Sequence, residues 1–327
     1  MERMRVAVVG VGNLGRHHAR IYAGLPGVEL VGVVDIDDRA AYKIARKFGT
    51  TPYRSLGEIP GTLDAVSVVV PTQAHRPVSI EALKLGAHVL LEKPIALDMQ
   101  EANEIIDAAH SRNLVLQIGH IERFNPAIVA LRKILTRVGF IEVHRLSPYK
   151  HEGTEVGVVL DLMIHDIDII LTIVASPLVE IQAVGIPVLS RSEDIANARL
   201  RFENGCIANV TASRISFEKV RKIRVFQSNA YLSLDYQNQE GMIYRKDGGG
   251  IVREKLPLEK DEPLKLEIVS FLDCVRASRE PLVPGEQGRQ ALRVASEITR
   301  LCRENPLYKA AIEEQRTSPP IDLGKLR

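Results

Sequence analysis

The chain has 327 residues, 45% hydrophobic and 26% charged, the balance of an ordinary globular protein with room for two domains and a core in each. Lys and Arg total 43 against 41 Asp and Glu; the resulting net charge of +2 argues against nucleic acid or an acidic membrane surface as a partner. Three scattered cysteines, Cys206, Cys274 and Cys302, with no CxxC pair, indicate neither a disulfide framework nor a zinc site.

The charged start Met1–Arg5 precedes an apolar run of only Val6–Val9, too short for a signal core. The apolar stretch Ile164–Val174 is broken by His165, Asp166 and Asp168, so no membrane span is expected, and a reduced, cytoplasmic setting is the default expectation.

Arg5–Val9 reads as a strand and runs directly into Gly10-Val-Gly12-Asn13-Leu14-Gly15. Arg16–Ala23 then reads as a helix, and Val28–Val34 as a second strand ending in Asp35. Strand, glycine turn, helix, strand and acid in this order are the dinucleotide-binding fingerprint. Gly10 makes the tight turn, Gly12 admits the pyrophosphate to the backbone, and Gly15 lets helix and strand pack closely. The helix N-terminus offers free N–H groups to the phosphates. Asp35 would accept from ribose hydroxyls and repel a 2′-phosphate, with Asp37 and Asp38 adding to the repulsion, so NAD is favoured over NADP; Arg39 is the dissenting basic residue.

The rhythm continues with a helix over Ala40–Phe48, a strand over Ala65–Val70 and a helix over Val78–Leu85. Thr72 and His75 follow the strand at the expected cofactor rim. The next strand, His88-Val-Leu-Leu, stops at Glu92-Lys93-Pro94. Ligands bind beyond the carboxyl ends of parallel strands, so Glu92 and Lys93 are placed at the rim of a binding site, with Pro94 stiffening the exit or offering a cis bond. Met99–Arg112 is a helix and Leu114–Ile118 closes a doubly wound parallel sheet over residues 1–120.

Residues 121–327 read as an α+β domain for substrate binding and oligomerisation. Ala127–Val138 is helical and Phe140–Leu146 is a strand. From Leu178 onward period-two strands dominate, including hairpins Ala196–Phe202/Cys206–Ser213, Ile223–Gln227/Tyr231–Tyr236 and Met242–Lys246/Ile251–Lys255. A large, mostly antiparallel sheet needs a cover on its second face, and self-association as a homodimer or homotetramer supplies one. Helices over Leu264–Ala277 and Glu286–Asn305 close the fold, and the tail from Thr317 reads as irregular.

Two segments carry chemistry. In Asp161-Leu-Met-Ile-His165, a helix over Val158–Val174 puts Asp161 and His165 on one face, where an imidazole can take a hydroxyl proton and a carboxylate can orient it. Asp168 falls off that face, which counts against a metal site. In Gly119–Pro126, Asn125 is a helix N-cap before Pro126, and Arg123 and Asn125 are candidates to reach a sugar or phosphate.

The glycine fingerprint, the Glu-Lys-Pro strand end and Asp-x-x-x-His on a later helix together resemble the Gfo/Idh/MocA oxidoreductases over nearly the whole chain. Within that family, GHIERFNPA at 119–127, VVLDLMIHDIDII at 158–170 and KVRKIRV at 219–225 look like the UDP-N-acetylglucosamine 3-dehydrogenase subgroup. The resemblance implies NAD-dependent oxidation of the 3-hydroxyl of a UDP-amino sugar to a ketone. It implies Lys93 beside the nicotinamide, Glu92 touching the cofactor through its backbone, and His165 as general base with Asp161. Arg123 and Asn125 would place the nucleotide sugar. Val156-Gly157 stands where many relatives carry Gly-Gly, and Met163 and Ile164 are bulky where relatives carry a small residue; both bear on the pocket's shape. The other readings are a dehydrogenase of a free sugar or cyclitol such as inositol, and a non-catalytic NAD-binding regulator. For a uridine diphosphate site, Tyr149-Lys150-His151 and Arg214–Arg221 are the polar candidates.

Overall fold

The computed structural model describes residues 3–149 and 156–317. Two compact units emerge, Met1–Phe124 with Glu262–Leu292, and Asn125–Asp261 with Arg293–Arg327.

The first unit runs β1 (Met4–Val9), α1 (Gly15–Gly24), β2 (Val28–Val34), α2 (Asp38–Phe48), β3 (Thr51–Tyr53), β4 (Ala65–Val68), α3 (His75–Lys84), β5 (His88–Glu92), α4 (Met99–His110) and β6 (Leu116–Gly119). Its strands form one parallel sheet in the order β3-β2-β1-β4-β5-β6, the doubly wound arrangement expected from the alternating pattern. The order reverses between β1 and β4, and that switch point is where a crevice opens beyond the strand ends. Burial explains the strand composition: Val89, Leu90 and Leu91 of β5 are all 0–1% exposed. Each such side chain contributes about 1.5–3 kcal/mol of transfer free energy, which supports a strand that ends in charge.

Local signals set the helix ends. Asp37 caps α2 by accepting from the N–H groups of Arg39 and Ala40, and Gly49 ends it at φ 68°. Asp98 caps α4 through the N–H of Glu101. The short strand β3 escapes the sequence pattern because three residues are too few to show a period.

The second unit begins with α5 (Pro126–Ile134) and β7 (Val138–Leu146). After a π-helical turn, Val159–Met163, come α6 (Ile164–Val174), β8 (Leu178–Ile186), β9 (Ile195–Phe202), β10 (Ile207–Ser213), β11 (Val220–Gln227), β12 (Ala230–Asp235), β13 (Glu240–Asp247) and β14 (Gly250–Lys255). These strands make an eight-stranded sheet in the order β14-β13-β12-β11-β7-β10-β9-β8. Every neighbouring pair is antiparallel except β10 with β7. Strict alternation on β9, inward Ala196, Ala198, Leu200 and Phe202 against outward Asn197, Arg199 and Arg201, shows one buried face.

Three helices follow: α7 (Pro263–Ala277), α8 (Gly285–Glu304) and α9 (Pro306–Thr317). A division near residue 120 assigns α7 to the second domain, yet it belongs to the first unit. The reason is apolar: Leu264, Ile268, Phe271, Leu272 and Val275 join the core built by Val6, Val8, Leu30 and Leu90. Helix α9 was not expected from the sequence, and the tail beyond it lies outside the described residues. The three cysteines are buried and unpaired, and burial pushes the thiols of Cys206 and Cys302 up to about 11 and about 12.

Candidate active site

At the sheet's switch point the glycine loop opens a cavity of about 710 Å³, lined by Gly10, Gly12, Leu14, Asp35, Glu92 and Lys93 among others. The three fingerprint glycines divide as their spacing predicts. A Cβ on Gly10, whose φ is +84°, would lie 2.3 Å from the Val69 carbonyl oxygen, and one on Gly15 would lie 1.8 Å from the carbonyl oxygen of Gly10. Gly12 meets nothing within 4 Å. Its missing side chain therefore serves no internal packing and leaves space over the loop for a ligand. The residues present fit a dinucleotide.

Asp35 is held ready at the β2 end. Its Oδ2 accepts from Val11 N–H at 2.8 Å and its Oδ1 from Asp37 N–H at 2.9 Å. Arg39 is exposed, and its N–H belongs to the Asp37 cap. A basic residue that the sequence reading missed, Arg54, lines the same cavity and is held by the carboxylate of Asp38. No local motif marks Arg54, because it arrives through the unpredicted strand β3.

Asn13, Gly15, Thr72 and His75 do not line the cavity. Gly15 lies against the Gly10 carbonyl, and Thr72 starts a short 3-10 turn. His75 is 1% exposed, with Nδ1 2.8 Å from the Pro94 carbonyl oxygen and Nε2 2.9 Å from that of Val70. Burial draws its pKa below 6.5, against the opposing pull of those carbonyls and of Glu92. Glu92 is 8% exposed, and its carboxylate meets His18 rather than solvent. The Lys93–Pro94 peptide is cis, one of the two alternatives expected, and Lys93 itself is half-buried.

Arg123 is 2% exposed, within a short 3-10 turn of the first unit, and donates to the Leu282 carbonyl at 3.2 Å. Asn125, in the second unit, caps α5 as predicted. Its Oδ1 accepts from Ala127 N–H at 3.1 Å while its Nδ2 donates to the Tyr236 carbonyl at 2.7 Å.

In the second unit Asp161 lies in the π-helical turn and His165 in the first turn of α6; both are half-buried, whereas Asp168 is 2% exposed. The segment is helical as expected, but a π turn replaces α geometry over its first five residues. Such turns recur at functional sites, where they re-aim side chains. Next to His165, Asp166 is fully buried and takes a bidentate contact from Arg145, at 2.7 and 3.1 Å, with a further hydrogen bond from the Tyr236 hydroxyl. Removing one member of such a buried pair costs about 3–5 kcal/mol, because it strands the other charge; the pair pins α6 to β7.

A second anchor was invisible in the sequence. Glu193 is fully buried, its backbone carbonyl accepts from Val158 N–H at 2.9 Å, and its carboxylate fills the space beside Gly157. Arg214, a candidate for diphosphate binding, is 6% exposed. It is committed to Asp194 at 2.7 Å, to Ser192 at 2.8 Å and to the Val156 carbonyl at 2.6 Å. Lys222 and Arg224 are exposed and alternate with buried Ile223 and Val225 along β11. Of Tyr149-Lys150-His151, Lys150 and His151 lie outside the described residues. Among the described residues no group of three or more His, Cys, Asp or Glu side chains is arranged to hold a metal, and no helix is long and apolar enough to cross a membrane.

The chain is similar to known proteins over much of its length. Residues 4–120 match the oxidoreductase family with the NAD-binding Rossmann fold, and residues 136–233 match the GFO/IDH/MocA C-terminal domain. A UDP-N-acetylglucosamine 3-dehydrogenase from Acidithiobacillus ferrooxidans is 37% identical over 91% of this chain and 97% of its own length. Its solved structure superposes with a TM-score of 0.88, covering 95% of this chain and all of that one, at 36% identity. A scyllo-inositol 2-dehydrogenase from Bacillus subtilis is 28% identical over 86% of this chain and 89% of its own. These matches, spanning both units, place this chain in the Gfo/Idh/MocA family of oxidoreductases, as an enzyme that uses a nicotinamide cofactor.

Proposed function

We propose that this protein oxidises the 3-hydroxyl of UDP-N-acetylglucosamine, or a close UDP-amino sugar, to the 3-keto sugar with NAD. The observation that carries this reading is the 37% identity, spanning both domains, to an enzyme named for that reaction. The inositol reading draws on a weaker likeness, 28%. A non-catalytic regulator would have no use for a carboxylate and an imidazole four residues apart on one helical segment.

His165 takes the proton from the sugar hydroxyl, and Asp161 orients the ring and stabilises its charged form. Lys93 holds the hydroxyl oxygen as charge develops on it. Arg123 and Asn125 act on substrate placement through the turn and the cap they fix. When bound, the nicotinamide accepts the hydride leaving the sugar carbon. Asp35 receives the ribose hydroxyls on its remaining lone pairs, and with exposed Asp37 favours NAD; Asp38, by holding Arg54, lowers that residue's pull on a 2′-phosphate.

We also assign a homodimer or homotetramer assembled through the outer face of the eight-stranded sheet. Phe140, Phe226, Tyr231 and Tyr244 sit opposite one another on β7, β11, β12 and β13, with ring centroids 5.6, 4.7 and 5.1 Å apart in turn. Phe226 at 36% exposure makes this row an apolar stripe on an open face, the kind of surface a second copy covers. The cytoplasm is the setting we assign.

The test is turnover by the purified protein with NAD and a panel of UDP-sugars and inositols, read as NADH absorbance and as keto product by mass. A parallel reaction with an added 2-oxo acid as acceptor, read by keto product alone, covers the case in which NADH is slow to leave. Turnover with UDP-N-acetylglucosamine is the expected result; turnover with inositol and with no UDP-sugar overturns it.

A further inference from the structure

Lys93 has one neighbour on each side in the chain, and a buried histidine holds each of them. On the N-terminal side, His18 is 0% exposed, with Nε2 3.2 Å from Glu92 Oε1 and Nδ1 3.1 Å from Ser67 Oγ. Ser67 Oγ in turn lies 2.8 Å from the Tyr22 hydroxyl. An arrangement that pairs each donor with an acceptor has Tyr22 donating to Ser67, Ser67 donating to His18 Nδ1, and Nε2–H donating to Glu92. Burial pushes the Tyr22 hydroxyl well above its ordinary value, so it remains a donor throughout. The chain therefore has a direction, and it ends on the carboxylate adjoining Lys93.

On the C-terminal side, His75 spans the Pro94 and Val70 carbonyls at 2.8 and 2.9 Å. Both are acceptors only, so a neutral ring donates to one of them, and its Nδ1–H tautomer holds the Pro94 carbonyl; a protonated ring donates to both. Gly119 completes the enclosure: a Cβ there would lie 3.0 Å from the Glu92 carboxyl carbon.

We infer that His18 and His75 are positioning residues that fix the backbone on either side of Lys93 and so aim its amine. Neither residue lines the cavity. Each places a hydrogen-bond donor on a chain neighbour of the one amine at that strand end. The inference rests on the role given to Lys93 above. A misplacement on the order of 1 Å at a reacting group costs up to about 100-fold in rate, which is the scale of effect such a clamp controls.

The experiment uses the full chain with NAD and UDP-N-acetylglucosamine. His75→Leu and His18→Leu are expected to lower kcat by roughly 10- to 100-fold while the Kd for NAD changes by less than about threefold. His75→Asn keeps a donor at the Nδ1 position facing Pro94 and restores most of kcat, whereas His75→Gln, with its donor placed toward Val70, does not. His18→Gln, which keeps a donor toward Glu92, outperforms His18→Asn. Equal activity of the Asn and Gln variants at both sites overturns the inference, and this contrast decides the matter if a Leu variant fails to fold. A second readout is independent of turnover. The NMR signal of 13C-methylated Lys93 should hold a distinct shift in the parent and in His75→Asn, and move toward the solvent-exposed lysine value in His75→Leu. An unmoved signal in His75→Leu also overturns the clamp. If Lys93→Ala retains turnover while the signal still moves, the fault lies in the catalytic role of Lys93 and the clamp stands.

Discussion

The Glu193 carboxylate occupies the volume that a side chain at position 157 would need: a Cβ on Gly157 would come within 1.9 Å of Glu193 Oε1. Glu193 is fully buried, so its carboxylate has no solvent to swing into. Gly157 is thus required at the entry to the helical segment that carries Asp161 and His165.

Gly157→Ala should destabilise the protein by about 1–3 kcal/mol, the range for overpacking a filled site. Turnover should fall as well, because the π turn holding Asp161 must shift. Shortening the acid in a Gly157→Ala/Glu193→Ser double variant should recover part of both losses. Thermal melting and kcat on the parent, Gly157→Ala, Glu193→Ser and the double variant test this; additive losses in the double variant would show that the two residues do not share a site.

Glu193 also predicts a pH dependence. Burial holds its carboxyl above the ordinary 4.5, with the N–H groups of Glu193 and Val159 and the charges of Arg303 and Arg214 only partly opposing it. A raised folded-state pKa gives stability that is fully present below about pH 4.5 and is lost as the pH rises through the folded value. Glu193→Gln, neutral at every pH, should therefore gain in melting temperature relative to the parent between pH 4.5 and neutrality. A constant difference across that range would show that Glu193 ionises as freely in the fold as out of it.

The fingerprint glycines should separate by mechanism. Gly12→Ala has open space for its methyl group and should fold with an unchanged melting temperature while the KM for NAD rises. Gly15→Ala drives a methyl group into the Gly10 carbonyl, 1.8 Å away, and should lose stability before cofactor affinity is reached. Equal melting temperatures for the two variants would contradict this division.

Lys93→Ala and His165→Ala should each lower kcat by roughly 10²–10⁴-fold, the usual scale of proton-transfer catalysis, with NAD affinity largely kept. Near-normal turnover of either variant in the NADH assay would remove that residue from the mechanism.

Phe226→Glu with Tyr231→Glu places like charges on the outer sheet face without touching the buried face. Light scattering after size exclusion should show a smaller assembly at unchanged secondary structure. An unaltered mass would move the interface elsewhere.

The sequence by itself determined the doubly wound first domain, the antiparallel second sheet, the Gly10–Gly15 loop with Asp35, the Asn125 cap and the placing of Asp161 and His165 in one helical segment. These are legible because each depends on short-range physics: a period of two or 3.6, a glycine where the backbone must turn, a cap beside the N–H groups it accepts from. Tertiary structure alone decided the rest. The packing of α7 on the first core, Arg54 in the glycine-loop cavity, Glu193 against Gly157, Arg145 on Asp166, and His18 and His75 on either side of Lys93 all join residues distant in sequence. His18 shows the difference most plainly. Its place with Gly15, Ala19 and Tyr22 on one face of α1 marks it as buried, but burial alone names no partner. Only when β4 and β5 come beside that face do Ser67 and Glu92 supply the two groups its ring can meet.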